Sequence, residues 1–236
     1  MQSDYIIKTI AHIQSEFPDK FGIPRQSGLV EELKARIIFE PEYRTPEAFK
    51  GLEDFSHLWL IWGFSENIRS TWSPSVRPPR LGGNTRKGVF ATRSPFRPNP
   101  LGLSSVKLER IEFHPVHGPV LHVSGADLMN STPIFDIKPY IPYTDSHPEA
   151  SEGFSGPHKN HHLTVCCPEE WLNKIPKSIR EKLFAVLAQD PRPSYQNNPE
   201  RIYGLRFSGL EVKFRIHDTR LTICSIEPDT GRVSNA

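Results

Sequence analysis

The stretch HLWLIWGF, residues 57–64, is the most apolar run of the chain. Its length and its aromatic residues are typical of a β-strand that is buried on both faces. The run is far too short and too polar to cross a lipid bilayer. We therefore predict a fully buried strand here, with the neighbouring segments folded around it.

Further β-strands are predicted on both sides of this run, because short apolar segments alternate with turns rich in Gly and Pro. These strands cover residues 5–13, 33–39, 88–91, 103–113, 120–124 and 134–140. A short helix is predicted over residues 45–49, where Thr45 as a helix cap precedes Pro46. Residues 1–147 are therefore predicted to form a β-rich domain.

The chain changes character after this domain. Residues 148–165 have the composition of a linker. An amphipathic helix is predicted from Pro168 to Gln189 with a break at Pro176, and strands follow at 202–207, 211–216 and 221–226. Residues 166–236 are thus predicted to form a small α+β domain, so that the whole chain is mainly β.

Composition limits the possible cellular contexts. The N-terminus has no basic region followed by an apolar run, so no secretory signal is expected. The three cysteines, two of them adjacent, show neither zinc spacing nor a disulfide framework. Reduced thiols and a cytoplasmic location are therefore expected.

The segment between Glu66 and Glu109 contains no acidic residue, although a stretch of this length usually holds about five. Its basic residues are Arg69, Arg77, Arg80, Arg86, Lys87, Arg93, Arg97 and Lys107. Arginine presents a planar fork to phosphate or carboxylate groups, and nearby Gly and Pro residues shape the backbone for close approach. A solvated basic loop is the alternative, but buried-type residues such as Val89 and Phe96 favour an anion-binding site. Charge alone predicts phosphate affinity and no base recognition.

Six motifs extend over nearly the whole chain. They are PRQSGLV (24–30), GLEDFSHLWLIW (51–62), RPPRLGG (77–83), GVFATRSPFRPNPLGLS (88–104), DLMNSTPIFDIKPY (127–140) and AQDPRPSY (188–195). In this order they resemble the TsaA-like family, and within it the bacterial TrmO-type tRNA (adenine-N6)-methyltransferases. Each motif alone is weak, and the ordered set is specific.

The resemblance implies an N-terminal β-barrel that binds S-adenosylmethionine and differs from the Rossmann-type methyltransferases. The implied reaction is N6-methylation of threonylcarbamoyl-adenosine next to the anticodon of threonine tRNA, by a homodimer. One observation from the residues agrees: no G-x-G-x-x-G follows a predicted strand.

The resemblance also implies a set of cofactor-binding residues. They are Pro24, Arg25, Gln26, Ser65, Glu66, Arg93, Leu101, Asp127, Leu128, Met129 and Asn130. Arg25 is expected to pair with the methionine carboxylate, and Asp127 with the ribose hydroxyls or the α-amino group. The family carries His-Gln where this chain has Ser65-Glu66, so backbone contacts are expected there. A turn cap is the alternative role for Asp127.

A second set is expected to bind RNA. It comprises Arg77, Arg80, Arg86, Lys87, Asp190, Arg192 and Tyr195. Without the resemblance, DPRP at residues 190–193 would indicate only the end of a helix. Mutation of Arg192 is expected to weaken tRNA methylation while sparing cofactor affinity. Trp72 is a candidate for base stacking.

Other functions fit the residues less well. A non-catalytic RNA-binding module would explain the basic segment equally well. A metal-dependent phosphoester hydrolase would need clustered carboxylates and histidines, which the spacing does not provide. His158, His161 and His162 lack carboxylates at ligand spacing, so no metal site is predicted. Asp136 is expected either to pair with an arginine or to lie in the site.

Overall fold

A computed structural model describes residues 5–67, 71–78, 81, 85–158, 162–193, 196 and 198–231 of the 236-residue chain. The strands are β1 Ala11–Gln14, β2 Lys34–Phe39, β3 His57–Gly63, β4 Ser75–Val76, β5 Lys87–Gly88, β6 Leu101–His114, β7 Gly118–Ser124, β8 Pro133–Pro139, β9 Thr164–Cys166, β10 Tyr203–Phe207, β11 Leu210–His217 and β12 Arg220–Pro228. The α-helices are α1 Pro142–Asp145, α2 Glu169–Leu172 and α3 Lys177–Ala188. Short 3₁₀ helices cover Pro41–Tyr43, Pro46–Phe49, Leu52–Asp54, Ser65–Asn67, Val89–Ala91 and Gly153–His158.

Six antiparallel strands close into a barrel in the order β1-β2-β7-β6-β3-β8. β3, the strand predicted from HLWLIWGF, pairs with β6 on one side and with β8 on the other. Pairing of β1 with β8 completes the closure, so the barrel leaves no free sheet edge. The mainly β fold and the N-terminal barrel are thereby confirmed.

The prediction that β3 is buried on both faces is wrong. Leu58, Leu60 and Trp62 fill the barrel interior, whereas Trp59 and Ile61 are only half-buried on the outer face. In a barrel, side chains alternate between the inside and the outside of each strand. On the outer face Trp59 is partly covered, because its indole donates to Asp145 (2.9 Å) and packs beside Tyr140.

The C-terminal residues form a four-stranded sheet in the order β10-β11-β12-β9, packed against α3. β9 was not predicted, because only three residues pair with β12, in parallel. The predicted helix is present as α2 and α3, separated at Pro176. Phe17, Val30 and Leu33 lie in this second core, so the N-terminal part of the chain contributes to it.

Two other segments differ from expectation. The first strand covers only Ala11–Gln14, and Tyr5 and Ile6 are exposed because no neighbouring strand pairs with them. Residues 88–91 form the end of β5 and a 3₁₀ turn rather than one strand. Within the described part of the chain, no helix is both long and apolar enough to cross a membrane.

Candidate cofactor site at one end of the barrel

A cavity of about 590 Å³ lies at the end of the barrel where β3 ends and β6 begins. The loop before β2 and the loop after β7 form its other walls. Pockets for small molecules and cofactors commonly measure about 300–1,000 Å³. The cavity is therefore large enough for a nucleoside-sized ligand.

Most of the residues predicted to bind cofactor line this cavity. They are Pro24, Arg25, Gln26, Ser65, Glu66, Arg93, Leu101, Asp127 and Met129. Leu128 lies in the barrel core instead, and Asn130 accepts a hydrogen bond from the backbone N–H of Ser15 (3.1 Å). The structure thus brings together four segments that are far apart in the sequence.

Asp127 is held by a chain of hydrogen bonds from the barrel interior. The Trp62 indole N–H donates to the Ser104 hydroxyl (2.9 Å), which donates to Oδ1 of Asp127 (2.6 Å). Burial raises the pKa of the Asp127 carboxyl, while the Ser104 hydrogen bond and the charge of Arg93 oppose the shift. The carboxyl is thus fixed in direction and accessible from the cavity.

Two arginines form the cationic wall. Arg93 donates to the side-chain oxygen of Gln26, which joins the segment after β5 to the loop before β2. Arg25 donates to the backbone carbonyls of Asp190 (3.4 Å) and Arg192 (3.3 Å). Through Arg25 the cavity is connected to the turn that follows α3.

An apolar wall faces these charges. The Trp62 and Phe64 rings meet edge to face, 4.4 Å between centroids. A Cβ built on Gly102 would lie 2.2 Å from the Trp62 ring, so only glycine permits this packing. The sequence predicts Trp62 to be a core residue, and the structure shows that it also lines the cavity. The Trp62–Gly102 pairing across β3 and β6 becomes visible only with the strand register.

Several other lining residues were not predicted. They are Lys20, Ile23, Gly63, Phe64, Arg97, Asn99, Leu103 and Thr132. Arg97 belongs to the acid-free segment and to the motif at residues 88–104, and these are the signals that could have identified it. Its guanidinium donates to the carbonyl of Thr92 (3.1 Å) and so shapes the wall around Arg93.

The residues predicted to bind RNA fall into two groups. Arg77 and Arg86 are exposed on the segment around the β4–β5 pair, Lys87 is half-buried there, and Arg86 donates to the Ser75 hydroxyl (2.7 Å). Asp190 and Arg192 form an ion pair (3.0 Å) whose side chains are only 10% and 13% exposed. Arg80 and Tyr195 lie outside the described residues.

Asp136 does not line the cavity. Its carboxylate pairs with Lys138 (3.1 Å) on the outer face of the barrel, so its partner is a lysine rather than an arginine. Among the described residues, no cluster of three or more His, Cys, Asp or Glu side chains could hold a metal ion. The cavity therefore offers cations, the carboxyls of Asp127 and Glu66, and aromatic surface, a combination suited to binding and orienting a ligand.

Comparison with known proteins gives a consistent result. The model of the tRNA-methyltransferase O N-terminal domain matches residues 12–146, and the model of the TrmO C-terminal domain matches residues 165–229. An Escherichia coli protein named tRNA (adenine(37)-N6)-methyltransferase is 37% identical over 234 residues, covering 96% of this chain and 99% of the relative. A Pseudomonas aeruginosa relative, 39% identical over 87% of this chain and 90% of its own length, carries the name of an S-adenosylmethionine-dependent methyltransferase.

A crystal structure of TrmO from P. aeruginosa superimposes with a TM-score of 0.79 at 31% identity, covering 97% of this chain and 99% of that one. The match therefore includes both the barrel and the C-terminal sheet. Both the family models and the full-length relatives point the same way: this chain belongs to the tRNA-methyltransferase O (TrmO) family.

Proposed function

We propose that this protein is an S-adenosylmethionine-dependent tRNA methyltransferase. Its reaction is N6-methylation of threonylcarbamoyl-adenosine next to the anticodon of threonine tRNA. The observation that carries the proposal is the cavity at the barrel end, where Arg25, Arg93 and Asp127 face an apolar wall. The family relationship names the reaction, and the cavity provides matching chemical groups.

The residues present fit the cofactor group by group. Arginine binds a carboxylate through a planar fork, so Arg25 and Arg93 suit the methionine carboxylate. Asp127 can accept hydrogen bonds from ribose hydroxyls or from an ammonium group. Trp62, Phe64 and Leu101 offer the apolar surface that an adenine ring requires.

When bound, S-adenosylmethionine would supply a methyl group on a positively charged sulfur, which leaves as a neutral thioether while N6 loses its proton to water. Since the leaving group needs no protonation, the protein contributes mainly by positioning the two reactants. Asp127, fixed through Ser104 and Trp62, and the two arginines serve that purpose.

The acid-free segment supplies the surface for RNA in this proposal. Arg77, Arg86 and Lys87 lie on or beside the β4–β5 pair, which precedes the cavity wall at Arg93 in the chain. Contacts of this kind bind phosphates without reading sequence. Asp190 and Arg192 pair with each other, so their contribution to RNA binding is through the shape of the turn after α3.

We also infer a homodimer in the cytoplasm. Leu103 lines the cavity and is 55% exposed, which leaves apolar surface at the rim that a second copy would cover. The three described cysteines are free thiols, which suits a reducing compartment. Sedimentation of the purified protein tests the dimer.

The decisive experiment is a methyl-transfer assay with the full chain. Calorimetry first measures binding of S-adenosylmethionine, and labelled methyl transfer is then followed on threonine tRNA with and without the threonylcarbamoyl group. The proposal predicts binding and transfer to the modified tRNA alone. Binding of tRNA without cofactor binding or transfer would favour the alternative, a non-catalytic RNA-binding module.

A further inference from the structure

Two aromatic rings are exposed on the acid-free segment. Trp72 and Phe90 stack at 6.2 Å between centroids with 26° between their planes, and they are 49% and 73% exposed. Single exposed aromatic residues are common, but two exposed rings in contact form a contiguous apolar patch, and such patches mark binding sites. We call this pair the Trp72–Phe90 platform.

The platform is held on a defined local structure. Val89 beside Phe90 is buried, and its backbone N–H donates to Pro74 (3.0 Å). Arg86 donates two hydrogen bonds to the Ser75 hydroxyl and so stabilises the β4–β5 pair. This pair lies between the two rings in the chain. Hydrogen bonds therefore hold the backbone that carries the two rings in a defined conformation.

The platform is also close to the cavity. Phe90 precedes Arg93 by three residues, which limits the separation of their Cα atoms to about 11 Å. Ser73, next to Trp72, donates its backbone N–H to Phe96, within the segment that forms the cavity wall. The two rings thus lie on the same short segment of the chain as Arg93 and Arg97, which line the cavity.

We propose that the Trp72–Phe90 platform stacks an unpaired nucleobase of the RNA substrate, next to the adenosine that enters the cavity. This inference rests on the proposed function. An enzyme that acts on a base takes that base out of its stack, so the neighbouring base loses a stacking partner. The aromatic rings replace that partner, and stacking on protein aromatics is a usual way to hold single-stranded RNA.

Charge favours RNA over a protein partner as the occupant. No acidic residue occurs from 67 to 108, and Arg77 and Arg86 are exposed on the β4–β5 segment, which lies between the two rings in the chain. Basic side chains that surround stacking aromatics are the usual arrangement of single-strand binding surfaces, where cations track the phosphates. A second copy that met this surface with its own acid-free segment would bring the same positive charge against it.

The test uses the full-length protein with Trp72→Ala and Phe90→Ala, and Trp72→Phe as the conservative variant. Phe113→Ala is the matched control, because Phe113 is 64% exposed and lies about 40 Å along β6 from Leu101. Three quantities are measured: the KM for tRNA, the Kd of S-adenosylmethionine, and the Kd of an anticodon stem–loop RNA by fluorescence anisotropy.

Loss of a ring is expected to raise the tRNA KM and the stem–loop Kd by about 5- to 150-fold. The Kd of S-adenosylmethionine and the Phe113→Ala variant are expected to stay within twofold of wild type. Trp72→Phe keeps a ring and is expected to retain most of the RNA affinity.

Other outcomes overturn the platform. Unchanged KM and stem–loop Kd in both alanine variants would do so, as would dissociation of a dimer in sedimentation without loss of RNA affinity. A wild-type protein that transfers no methyl group would count against the proposed function. The stem–loop Kd would even then decide whether the platform binds RNA.

Discussion

At the scale of single residues, Asp127 is the carboxyl on which cofactor binding is expected to depend most. Ser104 fixes it at 2.6 Å, and burial raises its pKa because the charged form loses water. A raised pKa means that ionisation costs stability above that pKa. The contribution of the Asp127 carboxyl to the free energy of unfolding is complete at pH values below its pKa in the unfolded chain, near 3.8. It is lost as the pH rises through the higher pKa of the folded protein.

Asp127→Asn separates stability from binding. The asparagine side chain does not ionise, and its amide oxygen still accepts the Ser104 hydrogen bond. The melting temperature of the variant at pH 7 is therefore expected to equal or exceed that of wild type. The difference in melting temperature between the variant and wild type should narrow as the pH is lowered. Loss of the charged hydrogen bond should weaken S-adenosylmethionine binding about 10- to 150-fold, as measured by calorimetry. Unchanged cofactor affinity would exclude Asp127 from the binding site.

Gly102 allows the close approach of Trp62. Gly102→Ala is expected to destabilise the protein by about 1–3 kcal/mol, because the new methyl group overlaps the indole ring. Urea unfolding measures the effect. Gly88→Ala is the control, because its Cβ meets no atom within 4 Å and the backbone φ of −57° suits alanine. Equal free energies of unfolding for Gly102→Ala and Gly88→Ala would contradict the close packing of Trp62 on Gly102.

At the scale of secondary-structure elements, Glu109 joins three strands on the outer face of the barrel. It accepts hydrogen bonds from Lys34 of β2 (2.8 Å) and from the Ser124 hydroxyl of β7 (2.7 Å). The Lys34 and Ser124 hydrogen bonds lower the Glu109 pKa from 4.5 to about 2. A lowered pKa gives a contribution to stability that is present above 4.5 and lost as the pH falls towards 2.

Glu109→Gln is therefore expected to lower the melting temperature at pH 7 and to flatten its dependence on pH. Wild type should lose stability more steeply than the variant between pH 4.5 and 2, as followed by circular dichroism. The exposed substitution Glu53→Gln serves as the control. Parallel pH curves for wild type and Glu109→Gln would show that the three-strand contact is too screened by solvent to matter.

At the scale of the whole molecule, the two parts of the chain hold each other. Lys182 of α3 donates to Glu16 (2.7 Å), and Phe17 lies in the C-terminal core. Arg25 reaches across to the carbonyls of Asp190 and Arg192. The barrel end that carries the cavity is thus shaped partly by the C-terminal sheet and α3.

Arg192→Ala tests this connection. It removes the ion pair between Arg192 and Asp190 (3.0 Å), whose side chains are 13% and 10% exposed, and is therefore expected to lower the free energy of unfolding. The turn that anchors Arg25 should then shift, so cofactor affinity and tRNA methylation should fall together. Arg192→Lys keeps the positive charge and should lose less cofactor affinity and less tRNA methylation than Arg192→Ala. Loss of methylation with unchanged cofactor affinity would instead support the direct RNA contact expected from the sequence.

Local patterns were sufficient to predict most of the strands. β2, β3, β6, β7 and β8 follow from apolar segments between turns, and the break between α2 and α3 follows from Pro176. β9 could not be predicted, because a three-residue strand is stabilised by its parallel partner β12 rather than by its own residues. Residues 5–8 show the converse, because this part of the predicted first strand finds no partner strand and stays exposed.

The sequence by itself determined the mainly β class and the family, and it predicted nine of the nineteen residues that line the cavity, because each motif is local and the motifs occur in a fixed order. Only the tertiary structure decided which of these residues meet. The contacts from Trp62 through Ser104 to Asp127, and from Arg25 to the turn after α3, join residues 23 to 167 positions apart. Such contacts depend on strand register and barrel closure, which arise from pairing between distant segments and leave no local pattern.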